Sequence, residues 1–300
     1  SRTLVARWMG RHPRRVLFLG DGPLAREMAA KLNADRSGFF EVLRGDAELA
    51  DELVVPEAVP DLERVLPVAM AHLPTGCRVR TEVDLYEEIF GAVPVSHVGP
   101  AWLVRAGLDS ADPVVETVKR FTDLSLSLLL SVFATPLVLL GAAAIYAETG
   151  RPILYSQLRV GRFGRSFRIW KLRTLLEPAD PALDPTAQPT RVGSVLRRLH
   201  LDELPQLANI VWGDMSFVGP RPEQVDIAAR LEEQIPGYAW RHLVRPGLTG
   251  WAQIQAPYAT SVAENRRKLE LDLYYLRRRS VWLDLVIALR TAGSVLRRSE

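Results

Sequence analysis

The spacing of apolar positions changes along this chain, and each change predicts a different kind of element. Arg14-Arg15-Val16-Leu17-Phe18-Leu19 reads as a short strand, and Gly20-Asp21-Gly22-Pro23-Leu24-Ala25 leads from it into a helix over residues 23–34. A brief second strand is expected at Phe39–Leu43 and another at Arg78-Val79-Arg80, while Asp84-Leu85-Tyr86-Glu87-Glu88-Ile89-Phe90 has the pattern of a short amphipathic helix. The acidic, proline-punctuated stretch between them predicts no element. Residues 105–118, with Gly107, Asp109, Ser110, Asp112 and Pro113, mark a boundary, so the chain is expected to divide into residues 1–110 and 111–300.

Beyond that boundary the pattern suits a different solvent. Leu124 to Ala147 is 24 residues without a charge, about 36 Å if helical and so long enough to reach across a bilayer core. Thr135-Pro136 interrupts it, and proline removes a backbone hydrogen bond where it stands. Lys119 and Arg120 precede the segment; Arg151, Arg159, Arg162, Arg165 and Arg168 follow it. Positive charge at both ends assigns both to the cytoplasmic side. A re-entrant helical hairpin over about 121–147, bent at Thr135-Pro136, satisfies that where a single straight span does not; the straight span and a soluble core helix, unusual at this length and hydrophobicity, stand as the alternatives.

Pro152–Gln157 and Phe167–Lys171 look extended and pair across Gly161 and Gly164, and residues 177–190 read as a loop able to act as a lid. Pro205 belongs in a helix's first turn, so a helix containing Leu204 to Val211 is predicted to start near Asp202. Asp202 and Glu203 would then sit where a helix N-terminus favours anions, and, as neighbours separated by about 100° on a helix, they would do different work. An ionised aspartate can attack phosphorus without a general base. An N-capping Asp beside a solvated Glu remains the plain alternative. The C-terminal stretch, with Tyr274, Tyr275, Trp282, Asp284 and Arg290 among leucines, suits a helix lying in a membrane interface or an ordinary packing helix.

Composition sharpens this picture in a few places. With 48% hydrophobic and 24% charged residues over 300 positions, two domains can each bury a core. The formal charge of +3 hides segregation: residues 46–63 carry seven acids and no base, whereas Arg159, Arg162, Arg165, Arg168, Lys171 and Arg173 follow one another with no acid between them. Such basic runs suit phosphate-bearing ligands or an anionic membrane. Cys77 is the single cysteine, which excludes an internal disulfide and cysteine-rich zinc sites and favours a reducing, cytoplasmic setting. The chain opens on Ser1 without a signal peptide, so further sequence upstream is expected. Gly20-Asp21-Gly22-Pro23-Leu24-Ala25 fits the G-x-G-x-x-A pattern of dinucleotide folds, but with Glu41 alone available for a ribose the expectation is an α/β domain that keeps the turn without binding NAD(P).

From about residue 119 to 292 the chain resembles the bacterial sugar transferase family, the monotopic polyprenyl-phosphate glycosylphosphotransferases. The resemblance rests on Lys119-Arg120-Phe121-Thr122-Asp123, Gln157-Leu158-Arg159-Val160-Gly161, Phe167 through Thr174, Leu201-Asp202-Glu203-Leu204-Pro205-Gln206-Leu207, Gly213 through Pro222 and Arg245-Pro246-Gly247-Leu248-Thr249-Gly250-Trp251-Ala252-Gln253, in that order. The N-terminal third looks like the degenerate Rossmann-like domain of the family's longer members, which usually carry transmembrane helices upstream. The overall class implied is α/β, with that domain followed by a mainly helical catalytic domain carrying a re-entrant membrane helix. The resemblance implies that Asp202 is the nucleophile taking a phosphosugar from a UDP-sugar and releasing UMP, with undecaprenyl phosphate as acceptor. Glu203 falls at its dyad partner, associated with Mg²⁺, and Lys171, Arg173, Arg197 and Arg221 fall where basic residues meet phosphates. Thr135 and Pro136 fall at the helix break. His200 stands where serine is usual, Leu175 where Met is usual and Thr135 where Ser is usual. The implied setting is the cytoplasmic face of the bacterial inner membrane, among membrane lipids, in the first membrane step of exopolysaccharide or O-antigen assembly. No nucleic acid enters this reading, and a homodimer is left open. The rival reading is a membrane-anchored nucleotide-sensing or scaffold module without catalysis.

Overall fold

The computed structural model describes residues 13–34, 38–43, 45, 47–57, 59–106, 113–176, 188–256 and 259–298, and the chain divides into two units, Ser1–Val98 and Gly99–Glu300. The expected boundary lies later, at residue 110; residues 107–112 lie outside the described residues.

The first unit alternates strand and helix. It begins with β1 (Arg14–Phe18) and α1 (Pro23–Ala34), where Pro23 opens the helix at the position that needs no N–H. β2 (Phe40–Val42), β3 (Glu52–Val55), α2 (Val59–His72), β4 (Arg78–Thr81) and α3 (Glu82–Phe90) follow. Thr81 caps α3 by accepting from the Asp84 N–H, and Gly91, at φ 58°, ends it. The four strands form a parallel sheet in the order β2-β1-β3-β4. The expected elements around residues 14–34, 39–43 and 78–90 are all present. β3 and α2 were not expected, and the reason is physical. β3 is internal and buried on both faces, so it shows no alternation. Its Glu52, 2% exposed, is held by Arg14 and Arg80, so an acid that reads as surface is part of the sheet's interior.

In the second unit, α4 (Pro100–Arg105) precedes α5 (Pro113–Thr149), a helix of 37 residues. Asp123, Ser127, Ala134, Gly141 and Ile145 form its buried stripe, spaced at about seven or four residues so that one narrow face meets the protein. Leu128, Leu129, Val132, Phe133, Leu139 and Leu140 are each at least 59% exposed. A helix apolar all round, with only a narrow stripe covered, needs an apolar medium for the rest. The helix runs through Thr135 and Pro136 without losing its assignment, which differs from the expected break. Pro136 still withholds an N–H from the turn before it, and the Thr135 hydroxyl donates to the Ser131 carbonyl at 2.7 Å, a bonding pattern that bends helices without ending them.

β5 (Leu154–Val160) and β6 (Ser166–Leu172) form the expected antiparallel hairpin, closed by a 3₁₀ turn at Arg162–Gly164. Then come α6 (Arg191–Arg198), α7 (Gln206–Trp212), β7 (Ser216–Val218), α8 (Val225–Gln234), β8 (Gly247–Thr249), α9 (Trp251–Gln255), α10 (Val262–Arg278) and α11 (Val281–Arg298). The proposed lid, 177–190, lies mostly outside the described residues; its flanks meet where the Thr190 N–H donates to Thr174 O and Leu175 pairs with Pro189. Ala134, Phe167, Ile169, Leu207, Ile210 and Met215 make one core linking α5, the hairpin and α7. Ile145, Leu172 and Leu196 make a second, against which Leu201 packs.

Candidate active site

The two adjacent carboxylates are positioned by a chain reversal. α6 stops at Arg198 and His200 takes a left-handed conformation, φ 57° and ψ 21°, that few non-glycine residues adopt. A single 3₁₀ turn, Leu201–Glu203, follows, and α7 proper begins only at Gln206, with Pro205 as its N-cap. The expected helix start near Asp202 is thus corrected by a few residues. Asp202 lies in the 3₁₀ turn ahead of a short helix, so neighbouring side chains decide its electrostatics more than a helix dipole does.

Those neighbours arrive from distant parts of the chain. Lys171, on β6, donates to Glu203 Oε1 at 2.6 Å, and Arg221, between Pro220 and Pro222, donates to the same oxygen at 3.0 Å. Burial works to raise the Glu203 pKa, but the Arg221 and Lys171 charges outweigh it and hold the carboxyl well below the usual range. Asp202 is different. Burial, and then the Glu203 carboxylate beside it, push its pKa up, while Lys171 and Arg197 pull it back. Among the described residues no cation lies within ion-pairing distance of Asp202, and the hydrogen bond that lowers its pKa comes from its own backbone N–H rather than from a charged group. Arg197, exposed in the last turn of α6, reaches Asp202 through its charge alone.

Arg173 does not join this group. Its guanidinium donates to Thr149 O at 3.2 Å, Gly150 O at 3.1 Å and the Thr149 hydroxyl, closing the C-terminus of α5 as a cation at a helix end should. Thr135 and Pro136 lie along α5, not among the carboxylates.

Residues to which the sequence analysis gave no role at the carboxylates hold the site in place. Buried Asn209 accepts from the Trp170 N–H at 3.3 Å and donates to Arg168 O at 2.8 Å, fixing the Lys171 strand against α7. Arg120 donates to the Ile210 and Val211 carbonyls at 2.6 and 2.7 Å at the other end of α7, and Asp123 accepts from the Phe217 N–H. Behind the Arg221 loop, fully buried Arg241 donates to Asp272 at 2.7 Å, to Tyr238 at 2.8 Å and to Arg221 O at 3.1 Å. Glu223, paired with Lys268 at 3.0 Å, continues this network. Gly219, which precedes Pro220, packs so closely on the next strand that a Cβ there would lie 2.4 Å from Arg245 O. The one sequence signal for the Arg241–Asp272 pair is an Arg and an Asp within otherwise apolar helical turns, which does not distinguish a buried pair from two exposed charges.

A group able to hold a metal from three or more His, Cys, Asp or Glu side chains is absent among the described residues. Glu203 Oε1 is taken by Lys171 and Arg221, which leaves Oε2 for a hard cation that draws its other ligands from water and phosphate oxygens.

A family profile described as bacterial sugar transferase matches residues 114–298. The chain is 36% identical over 260 residues to a UDP-N-acetylgalactosamine-undecaprenyl-phosphate N-acetylgalactosaminephosphotransferase of Aeromonas hydrophila, covering 85% of this chain and 60% of that protein. It is 32% identical over 316 residues to an undecaprenyl-phosphate glucose phosphotransferase of Komagataeibacter xylinus, covering 93% and 58%. It is 41% identical over 189 residues to a UDP-glucose:undecaprenyl-phosphate glucose-1-phosphate transferase of Caulobacter vibrioides, covering 61% and 71%. The chain therefore spans about three fifths of the length of the first two relatives.

Proposed function

The chain belongs to the bacterial sugar transferase family, and from that premise we propose that it transfers a sugar 1-phosphate from a UDP-sugar to undecaprenyl phosphate. The observation that carries the mechanism is the asymmetry of the dyad. Glu203 is neutralised by Lys171 and Arg221, whereas Asp202 is half-buried, has a raised pKa and has no ion-pair partner among the described residues. A carboxylate that is desolvated yet unpaired is the better nucleophile of the two. An Asp202 oxygen attacks the sugar-bearing phosphorus, the bond from that phosphorus to the bridging oxygen breaks, and UMP leaves with the electron pair. The acceptor's phosphate oxygen then attacks the same phosphorus and expels Asp202. Arg221, 37% exposed and in contact with Glu203, and Arg197 present charge to the phosphates. Mg²⁺, held by Glu203 with water and the diphosphate, would neutralise charge on the leaving group.

The same reading places the protein on the cytoplasmic face of the membrane with α5 re-entrant. Both ends of α5 are tied to one unit: Lys119 to Asp284 at 2.5 Å and Arg120 to the end of α7, Glu148 to the Arg191 and Val192 N–H groups at 2.9 and 3.1 Å. The stripe facing that unit continues on both sides of Pro136. A straight span would put those ends about 40 Å apart on opposite sides of a bilayer.

The test is intact-protein mass spectrometry after brief incubation with UDP-sugar and Mg²⁺. A phosphosugar adduct on the peptide containing Leu201-Asp202-Glu203 is expected, with UMP released before acceptor is added and at no more than one per site. Asp202→Asn should abolish both. Near-normal turnover in that variant, or an adduct elsewhere, would remove Asp202 from the mechanism.

A further inference from the structure

Away from the dyad, three arginines from separate parts of the chain converge on one carboxylate. Arg162 at the hairpin tip, Arg245 ahead of β8 and Arg279 between α10 and α11 lie 3.3, 3.2 and 2.5 Å from Glu116, in the first turn of α5. Glu116 is the only acid within 4 Å of any of them among the described residues. One carboxylate cannot neutralise three guanidiniums, so the cluster keeps a net charge of about +2 at neutral pH. It also keeps donors: Arg162 uses Nε on Leu243 O and Nη1 on Glu116, Arg245 uses Nε on Gly213 O and Nη1 on Glu116, and the Nη2 groups of both remain for a ligand. The Arg162 and Arg245 side chains are 25% and 29% exposed.

What surrounds the cluster identifies its occupant. Beside Arg162, Phe163 is held at φ 56°, a left-handed conformation unfavourable for an aromatic residue, with its ring 63% exposed and the Arg162 guanidinium 4.6 Å from its centroid. Beside Arg279, Val281 and Trp282 are 51% and 73% exposed; flanking Glu116, Val114 and Val118 are 67% and 45% exposed. Each segment that brings a charged group to the cluster, except the Arg245 loop, also brings an exposed large apolar side chain. The exposed apolar surface of α5 begins directly beyond, at Phe121. A soluble anion would be served by the arginines alone. Phosphate charge edged by aromatic and aliphatic side chains, continuous with a lipid-facing helix, is the chemistry of a phospholipid headgroup and its upper acyl chain.

We propose that Arg162, Arg245 and Arg279 bind the phosphate of an anionic membrane phospholipid, with Phe163 and Trp282 inserted beside it, forming a second membrane contact that fixes how the unit rests on the bilayer. This rests on α5 being membrane-embedded. It uses none of the residues assigned to phosphosugar transfer, so the two readings fail separately.

The test is thermal unfolding of the purified protein in neutral detergent, titrated with phosphatidylglycerol, phosphatidylcholine, undecaprenyl phosphate or inorganic phosphate. Phosphatidylglycerol should raise the midpoint saturably, and phosphatidylcholine and inorganic phosphate should not do so at equal concentration; undecaprenyl phosphate, the proposed acceptor, should stabilise through the active site, with a response that Arg162→Gln leaves unchanged. Arg162→Gln leaves Glu116 two arginines, so it should fold; it should weaken the phosphatidylglycerol response at least tenfold and release UMP at the normal rate in phosphatidylcholine nanodiscs. Phe163→Ser, which keeps every charge, should weaken the response too. An unchanged phosphatidylglycerol response in Arg162→Gln, equal responses to inorganic phosphate, or a response to undecaprenyl phosphate alone would each overturn the assignment. Loss of UMP release from the unaltered protein would instead count against the transferase reading.

Discussion

Asp272→Asn probes the support beneath the Arg221 loop. Arg241 and Asp272 are each 1% exposed and joined by bonds of 3.0 and 2.7 Å from Nε and Nη2. Burial pushes the Asp272 carboxyl up; burial works against the Arg241 charge as well, but Tyr238, Asp272 and Glu223 together hold its pKa above the ordinary value. Arg241 keeps its charge, and its compensation in the interior depends on Asp272. Removing one member of such a pair costs about 3–5 kcal/mol, because a buried charge is left behind. For a unit of this size, each kcal/mol moves the unfolding midpoint by roughly 2–4 °C, so a fall of about 6–20 °C is expected. Replacing both groups, Arg241→Met with Asp272→Leu, removes the stranded charge and should recover most of the loss. It should not recover turnover, because Arg221 O then loses the donor that holds it at 3.1 Å. The assay is intrinsic-fluorescence melting in detergent, run beside UMP release. A midpoint for Asp272→Asn within about 2 °C of the unaltered protein, or a double variant no more stable than the single one, would refute this account.

Other outcomes follow from the same structure. Glu203 has a folded pKa below its ordinary 4.5, so its contribution to stability is present above about that pH and is lost as pH falls toward the folded value; Glu203→Gln should flatten the acid side of the melting curve and weaken the response of turnover to Mg²⁺, read by titration against a chelator. Glu82, 4% exposed, is pushed by burial and then by Glu57 and Asp61 up to about 7. Its ionised form therefore opposes folding, stability should fall as pH rises from 4.5 through about 7, and Glu82→Gln should raise the melting midpoint at about pH 8 while changing little at about pH 5. Gly247→Ala would place a Cβ 2.1 Å from Gly219 N. Backbone cannot yield as a side chain can, so this variant should melt well below the unaltered protein or fail to fold.

Much of the fold was legible because the signals were local. The glycine turn into α1, the capped α3, the uncharged run of α5 and the glycine-closed hairpin each carry their cause within a dozen residues. β3 and α2 were not legible because their causes lie elsewhere. Glu52 is acceptable inside a sheet only because Arg14 and Arg80 stand on the neighbouring strands, and α2 carries Pro67 within it, which sequence rules read as a stop. Arg173 shows the converse. Its place in a basic run suits phosphate, but its position just past the end of β6 brings it to the last carbonyls of α5, and those take its donors.

The dyad itself lies between these cases. That two adjacent carboxylates diverge is a local matter, and chain geometry alone predicts that they cannot share one partner set. Which of them is neutralised is decided at long range. Lys171 is 32 residues and Arg221 18 residues from Glu203 in the chain, and they meet because Asn209 fixes one strand while Arg241 holds the loop from behind. Had these supports delivered the same two cations to Asp202, its carboxylate would be tied down by two strong donors and Glu203 would be the free one. Which carboxylate is left unpaired, and so which one the proposed mechanism uses as nucleophile, depends on packing contacts far from the motif, and a substitution at Asn209 or Arg241 should alter turnover without touching either carboxylate.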